Sequence, residues 1–518
     1  VAGPTGSRQY RDSFYVQDDW KALPNLTLNL GLRYGYDQPM YEVNNKEVNV
    51  DISKASQCTA VPDTSNPCLM FAGQNGNSRA LYEPFYGEVM PRIGFAWQFN
   101  PKYVLRGGYG ITDFLEGTGA NLRPVMNPPY FSQFVNDPAK PDDTSAGNPL
   151  SIKNGFSNGT AQVVTQYDAW DKHLKPAMVQ QFNLTTEYLI NSSTTAQIGY
   201  VGEVGQHLIV PASPDQWRVP GDPSSAPFLN LVGSNGRVVL TVSSAVENYN
   251  ALQATLRHRQ SGGLEYTLNY TLSKSMTNNP GFYGISGVDG ASAYWQNYYD
   301  PKADYGPSGF DVRHTLNGTA VWQLPFGVGR KFGSSWNRAT DEVLGGWRLS
   351  GDVILHTGFP INMTGSNRAN VHARTARANQ YRRMKIVNRS VRHWFGTDPS
   401  SNPCSGQTDN GICAFGSAAS GTFGDAPPNN GPRAPGYRII DMSLFKSFRT
   451  FENQNLSFRV DAFNAFNMAS YAAPAFVSAA NGISPTTFAS NPDASNEGRI
   501  EGTLSPARQF QLSLIYKF

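Results

Sequence analysis

Hydrophobic and polar residues alternate one by one over long stretches of this chain. In 26–36, Leu26, Leu28, Leu30, Leu32, Tyr34 and Tyr36 form one series, and Thr27, Asn29, Gly31, Arg33 and Gly35 form the other. Leu264, Tyr266, Leu268, Tyr270 and Leu272 oppose Glu265, Thr267, Asn269, Thr271 and Ser273 in the same way. The pattern returns at 456–462 and closes the chain, where Phe510, Leu512, Leu514, Tyr516 and Phe518 alternate with Gln509, Gln511, Ser513, Ile515 and Lys517. A period of two puts successive side chains on opposite faces of a strand. The runs are about 9–13 residues long, against the five or six usual in globular sheets. At roughly 3.3 Å per residue and a tilt near 40°, about ten residues cover roughly 25 Å, the apolar height of an outer-membrane barrel.

Strands are predicted at 13–20, 26–36, 87–99, 102–112, 178–190, 194–204, 248–260, 263–273, 311–324, 344–356, 436–449, 453–466 and 508–518. The connections alternate in length. Short ones fall at 21–25, 100–101, 191–193, 261–262, 325–343 and 450–452; long ones fall at 37–86, 113–177, 205–247, 274–310, 357–435 and 467–507. Short turns at one end and long loops at the other are how outer-membrane barrels are built. The expected fold is therefore all-β, an antiparallel transmembrane barrel portion of about thirteen strands with long extracellular loops. Loops of this length count against an ordinary compact domain. Over a barrel mouth they have room to pack, and Val238–Val242 is expected to form a hairpin of its own there.

Composition agrees with a sheet that has one greasy and one wet face. Charged residues make up 16%, below the roughly 25% of soluble domains, with 12% aromatics and a mean hydropathy of −0.41. No run of about 18 apolar residues exists to form a membrane helix, which leaves strands that cross by alternation untouched. A net charge of +3 argues against a nucleic-acid partner. The chain opens on Val1-Ala2-Gly3-Pro4 without a visible export leader, so it is expected to be processed, truncated or a fragment. The cysteines form two local pairs, Cys58 with Cys68 and Cys404 with Cys413, both in long loops. Neither has metal-site spacing, so local disulfides in an oxidising compartment are the expectation.

Several stretches resemble a known family. SFYVQDDWK at 13–21 followed by LTLNLGLRY at 26–34 resembles a strand pair of TonB-dependent receptor barrels. NYNALQ at 248–253, YTLSK at 270–274, GPSGFDVRH at 306–314, QLPFG at 323–327, GGW at 345–347, DMSLFK at 441–446 and RVDAFNAFN at 459–467 resemble the Oar-like branch in order. The resemblance implies uptake of a scarce solute across the outer membrane, driven through TonB, by a plugged barrel of about 22 strands. This chain has about thirteen and no room for a plug. The expectation is thus the C-terminal part of such a barrel over 1–518, with plug, TonB-contacting segment and remaining strands elsewhere.

Candidate residues follow from that frame. Tyr516 and the terminal Phe518 resemble the signal read by the barrel-assembly machinery. Tyr34, Tyr36, Trp97, Phe99, Trp322, Trp347 and Phe448 lie near strand ends, where aromatic rings meet lipid headgroups. Arg33, Arg92, Arg106, Glu265, Asp352, Arg459 and Asp461 fall in the polar series and are candidates for the lumen, lining a solute path or pairing with one another. A basic stretch from Arg374 to Arg392, with Arg382 and Arg383 at its centre, suits an anionic solute, lipopolysaccharide phosphate, or simply a solvated loop face. Tyr294, Trp295, Tyr298, Tyr299, Trp394 and Phe395 are candidates for stacking on a solute. Catalytic, metal and cofactor signals are lacking: the seven histidines are scattered and no GxSxG elbow is present. The run GVGRKFG at 327–333 departs from a phosphate loop in spacing and reads as a turn. The leading expectation is an uptake receptor. A non-transporting structural or adhesive barrel and a secreted all-β enzyme stand as alternatives.

Overall fold

The computed structural model describes residues 5–115, 124–131, 166–279, 294–396, 414–429, 431–449, 454–474 and 498–518. Thirteen long strands make one continuous sheet: β1 (Arg11–Leu23), β2 (Leu26–Asp37), β3 (Val89–Asn100), β4 (Tyr103–Phe114), β5 (Ala177–Asn191), β6 (Thr194–Ala212), β7 (Arg237–Ser261), β8 (Leu264–Thr277), β9 (His314–Gln323), β10 (Arg348–His356), β11 (Tyr437–Arg449), β12 (Asn455–Phe463) and β13 (Gln509–Lys517). Each pairs antiparallel with the next in chain order. Connections of 24 to 80 residues gather at one end, and at the other end all but one, 324–347, span two to five residues. Among the described residues β1 and β13 are each paired along one side only. Because thirteen is odd, these two edge strands run in the same direction.

Register settles which residues share a face. Leu28 lies opposite Phe95, Phe95 opposite Gly107, Gly107 opposite Leu184, Leu184 opposite Tyr200, and Tyr200 opposite Leu252. Farther round, Leu256, Leu268, Gly318, Val353 and Ile440 form a second unbroken row of the same face. These side chains are not covered by protein: Leu184 is 51% exposed, Ile93 54% and Leu512 70%. A continuous exposed apolar face of this extent marks contact with something other than water. Aromatic rings fit within it because a neighbouring strand supplies glycine. A Cβ on Gly107 would stand 2.4 Å from the ring of Phe95, and one on Gly202 would stand 2.2 Å from Phe182.

Two strands outgrow the prediction by the most. β6 runs for 19 residues and β7 for 25, so both rise well beyond a membrane-height wall. The register slips between Gly205 and Leu208, where His207 adopts φ 56°. Such a bulge bends the ribbon where it leaves the wall. Val238–Val242, expected as a separate hairpin, is the outer part of β7. It pairs antiparallel with β6 on one side and parallel with Gln166–Trp170 on the other. The start expected for β10, at 344, is instead the end of a short helix, Arg338–Leu344, whose Asn337 side chain accepts from the Thr340 amide.

The packed core lies in the connections and in the outer ends of β6 and β7. Val48, Val50, Leu69, Phe71, Tyr167, Val210, Phe228, Leu231, Val238, Leu240 and Trp295 form one buried cluster drawn from seven stretches of chain. A second cluster, around Met363, Phe395 and Phe415, lies within the connection between β10 and β11.

The register gives a direct test of the faces. Leu512 and Gln511 are neighbours on β13, but Gln511 stands opposite Asp461 on the polar face. Leu512→Arg is expected to cost about 2–4 kcal/mol of folding stability in a bilayer, as a mid-height charge on the lipid face does. Gln511→Arg is expected to be near neutral or stabilising. Urea unfolding in lipid vesicles measures both, and equal losses would reverse the face assignment.

Candidate functional site: the polar wall and the loop cap

The polar series forms a hydrogen-bonded wall. Stepping the register from β2 to β12 puts Arg33, Arg106, Glu265, Asp352, Arg459 and Asp461 on one face. Arg106 pairs with Glu187 at 2.9 Å, and Arg459 pairs with Asp461 at 2.8 Å while also reaching Ser443. Thr255 donates to Asn269 and Asn269 to Asn317, each at 3.0 Å, and Gln181 donates to Glu203 at 2.7 Å. Asp352 lies directly opposite Asp441, so like charges face each other at mid-wall. Glu265 stands opposite Val321, and Arg33 opposite Tyr15 and Met90.

The opposite face carries an aromatic band at the short-turn end. Tyr103 stacks on Tyr188 at 4.5 Å and on Phe99 at 5.4 Å, and Trp97 lies 5.5 Å from Phe99. His258 stacks on Tyr266, and Tyr516 lies 6.3 Å from Phe518, which is 98% exposed. Tyr34 and Tyr36 sit at the other end of β2, where Tyr36 stacks on Tyr86.

At the long-loop end the connections interlock into a cap. Two buried asparagines act as pieces of backbone. The Asn49 carboxamide accepts from Trp170 N at 2.7 Å and donates to Trp170 O at 3.0 Å. Asn127 donates to Val48 O and Asp168 O and accepts from Asp168 N. Each joins segments that no strand ladder connects, and each satisfies peptide groups that burial would otherwise leave unpaired. The disulfide Cys58–Cys68 closes this region. Cys404 and Cys413 lie outside the described residues.

Arginine–aspartate pairs do the rest. Arg374 grips Asp215 through both carboxylate oxygens, at 3.1 and 3.2 Å. Arg377 pairs with Asp304 and Arg433 with Asp311. All three arginines belong to the connection between β10 and β11; their partners belong to the β6–β7 and β8–β9 connections. Gln296 continues the network, receiving Arg377 N and donating to Gly424 O.

A family model described as the outer membrane beta barrel domain matches residues 1–511. The chain belongs to that family. No curated protein sequence matches it. Among solved structures, the outer membrane transporter YddB from Escherichia coli is 10% identical, with a TM-score of 0.43 over 98% of this chain and 45% of that one. BauA, the ferric preacinetobactin receptor from Acinetobacter baumannii, is 12% identical, with a TM-score of 0.41 over 99% and 43%. The siderophore receptor PiuA from the same organism is 9% identical, with a TM-score of 0.42 over 98% and 43%. This chain spans less than half the length of each.

As a member of an outer-membrane barrel family, the chain sits in a lipid bilayer, and its apolar face is the one that meets hydrocarbon. The cap residues expected to contact a solute separate into two groups. Trp295 is a core residue: it is 3% exposed and its indole donates to Asn278 O at 2.6 Å, so it is not presented for stacking. Phe395 is likewise buried. Trp394 is half-buried, donates to Arg433 O, and carries Arg389 4.5 Å above its ring. Of the basic stretch, Arg374 and Arg377 hold the cap together, Arg382 is half-buried, and Arg383, Lys385 and Arg392 are exposed. Sequence reading missed Asn49, Asn127, Asp215, Asp304 and Asp311, because each matters only through a partner dozens of residues away.

Burial shapes the titration of the cap. Glu47 is 3% exposed, and burial pushes its carboxyl up to about 8. Burial likewise raises Asp304 to about 6, against the pull of Arg377.

Arg377→Met leaves Asp304 without its cation and is expected to destabilise the cap by about 3–5 kcal/mol. Pairing it with Asp304→Asn should recover part of that loss, read by hydrogen exchange over 294–311; additive effects would show the pair to be uncoupled. For Glu47, a folded-state pKa above the unfolded one means that the folded chain binds the extra proton. Local stability is therefore greatest below the unfolded carboxyl range and falls as pH rises toward about 8. Amide protection over 48–50 and 69–71, corrected for intrinsic exchange, should be higher at acid pH than above pH 8. Glu47→Gln should flatten that slope, and an unchanged slope would assign it to another group.

Proposed function

We propose that this chain is a sector of a TonB-dependent, Oar-like receptor barrel that takes up an unidentified solute. The observation that carries the reading is the thirteen-strand sheet with two edges running in the same direction. Antiparallel closure needs an odd number of further strands, which makes an even total of at least fourteen. A second copy does not supply them, because in the same membrane its edges run in that direction too. About eight strands make a barrel that side chains alone fill; the wider barrels enclose water or need a plug. A barrel of this width is a conduit, which favours uptake over a purely structural or adhesive role. The family resemblance supplies the rest: a barrel of about 22 strands, with the plug and the TonB-contacting segment in parts of the protein other than 1–518.

In this reading the long loops face outward and bind first. Arg383, with Lys385 and Arg392, offers positive charge to an anionic solute or to lipopolysaccharide, and Arg382 and Trp394 flank it. The polar wall then offers Arg33, Arg106, Glu265, Asp352, Arg459 and Asp461 along the path or against the plug. Tyr516 and Phe518 present the aromatic C-terminus to the barrel-assembly machinery.

The test is metabolite depletion from medium by cells with and without the parent gene, repeated with TonB inactivated. Loss of one solute class that needs both the gene and TonB is the expected result. Unchanged uptake together with lost surface attachment would replace this reading with the adhesive one.

A further inference from the structure

Five of the six connections at the short-turn end span two to five residues, but 324–347 takes a detour of 24. Its placement is fixed by Lys446. This lysine belongs to the lipid-facing series of β11, with Met442 and Leu444, yet it is 3% exposed. Its Nζ donates to Gly345 O at 2.5 Å and to Asp341 O at 3.2 Å, carbonyls at the C-terminal end of the helix Arg338–Leu344. The rings of Phe448 and Trp347 lie 4.9 and 5.7 Å from the same nitrogen. A cation placed on carbonyls at a helix C-terminus is well placed electrostatically. Here it also pins the helix to the outside of the wall.

The pinned segment leaves five of its large apolar side chains exposed. Val343 is 62% exposed, Val328 55%, Leu344 52%, Phe332 49% and Phe326 40%. Arg330, Lys331 and Arg338 are exposed beside them. Of the two acidic residues, Asp341 is half-buried and accepts from Val328 N at 2.6 Å, and Glu342 is half-buried. The surface on offer is thus apolar with a basic rim, and it continues the aromatic band through Trp322 and Trp347.

We propose that 324–347 is an interfacial anchor that seats its apolar side chains among the phospholipids of the leaflet at the short-turn end. Side chains of this kind bury into the headgroup–acyl boundary, and basic residues meet phosphate there. The lipid belt already touches the wall on which the helix lies, so no other partner is needed to cover the patch.

The experiment places a single environment-sensitive fluorophore on Val343→Cys in the full-length protein, reconstituted in phosphatidylethanolamine–phosphatidylglycerol vesicles. Blue-shifted emission, quenching by shallow spin-labelled lipid and protection from iodide are expected. Adding Lys446→Met should release the helix and raise iodide quenching severalfold. Should that variant fail to assemble, as judged by heat-modifiable gel mobility, Phe326→Ser with Phe332→Ser serves the same purpose without touching the wall. Water-like emission with full iodide quenching in the otherwise unaltered protein would overturn the proposal and leave the patch to a soluble partner.

Discussion

Everything in this molecule depends on one constraint: inside hydrocarbon, a peptide group has no water to bond with and must find its partner in the protein. The ladder from β1 to β13 meets that demand strand by strand, and it does so with antiparallel pairs joined mostly by tight turns. Once every backbone group is spoken for, the side chains are free to differ completely between faces. One face becomes a row of Leu, Ile, Val and aromatic residues that no protein covers. The other becomes a wall of amides, hydroxyls and a few paired charges. The low overall charge follows from the same cause, since half of the wall residues face lipid and the rest need polarity more than charge.

The cap obeys a different rule. Above the bilayer, water is available, so the ladder ceases to be compulsory and the connections grow long. They are then held by means a ladder does not provide. Asn49 and Asn127 replace peptide groups in pairing, the buried Arg–Asp pairs lock neighbouring connections together, and one disulfide closes the first. Buried ion pairs give little net stability over apolar packing of the same shape, but breaking one is costly. Their use here, three times from one connection to its neighbours, suits positioning more than stabilisation. The cap is therefore a folded body fixed at the mouth of the wall.

That division also explains what was legible in the sequence. Period-two alternation marked all thirteen strands, because in a two-faced wall each residue's face is set by parity alone and needs no distant partner. For the same reason the seven polar candidates turned out to share a face. The strand ends were less legible where β6 and β7 rise past the membrane, since alternation fades once neither face is lipid. In the cap, parity carries no information. Trp295 has the same composition signal whether it stacks on a solute or fills a core, and only its contacts with Asn278 and the cluster around Phe228 decide. Arg374 and Arg377 illustrate this again: a run of basic residues reads as a surface, yet their aspartates lie 159 and 73 residues away.

The two ends of the wall finally differ in what they ask of the chain. At the short-turn end, a turn need only reverse direction, and two residues usually suffice. Any longer connection there has to be stabilised by something other than the turn itself. The connection between β9 and β10 is stabilised by Lys446, a charge on a face where a charge is expensive. Such a residue is tolerable only if its nitrogen is fully engaged, and the carbonyls of Gly345 and Asp341 engage it. Remove the helix, and Lys446 becomes an isolated cation on the lipid side; remove Lys446, and the helix loses what fastens it to the sheet. Each is the condition for the other, which is why neither the lysine nor the long connection was intelligible from its own stretch of sequence.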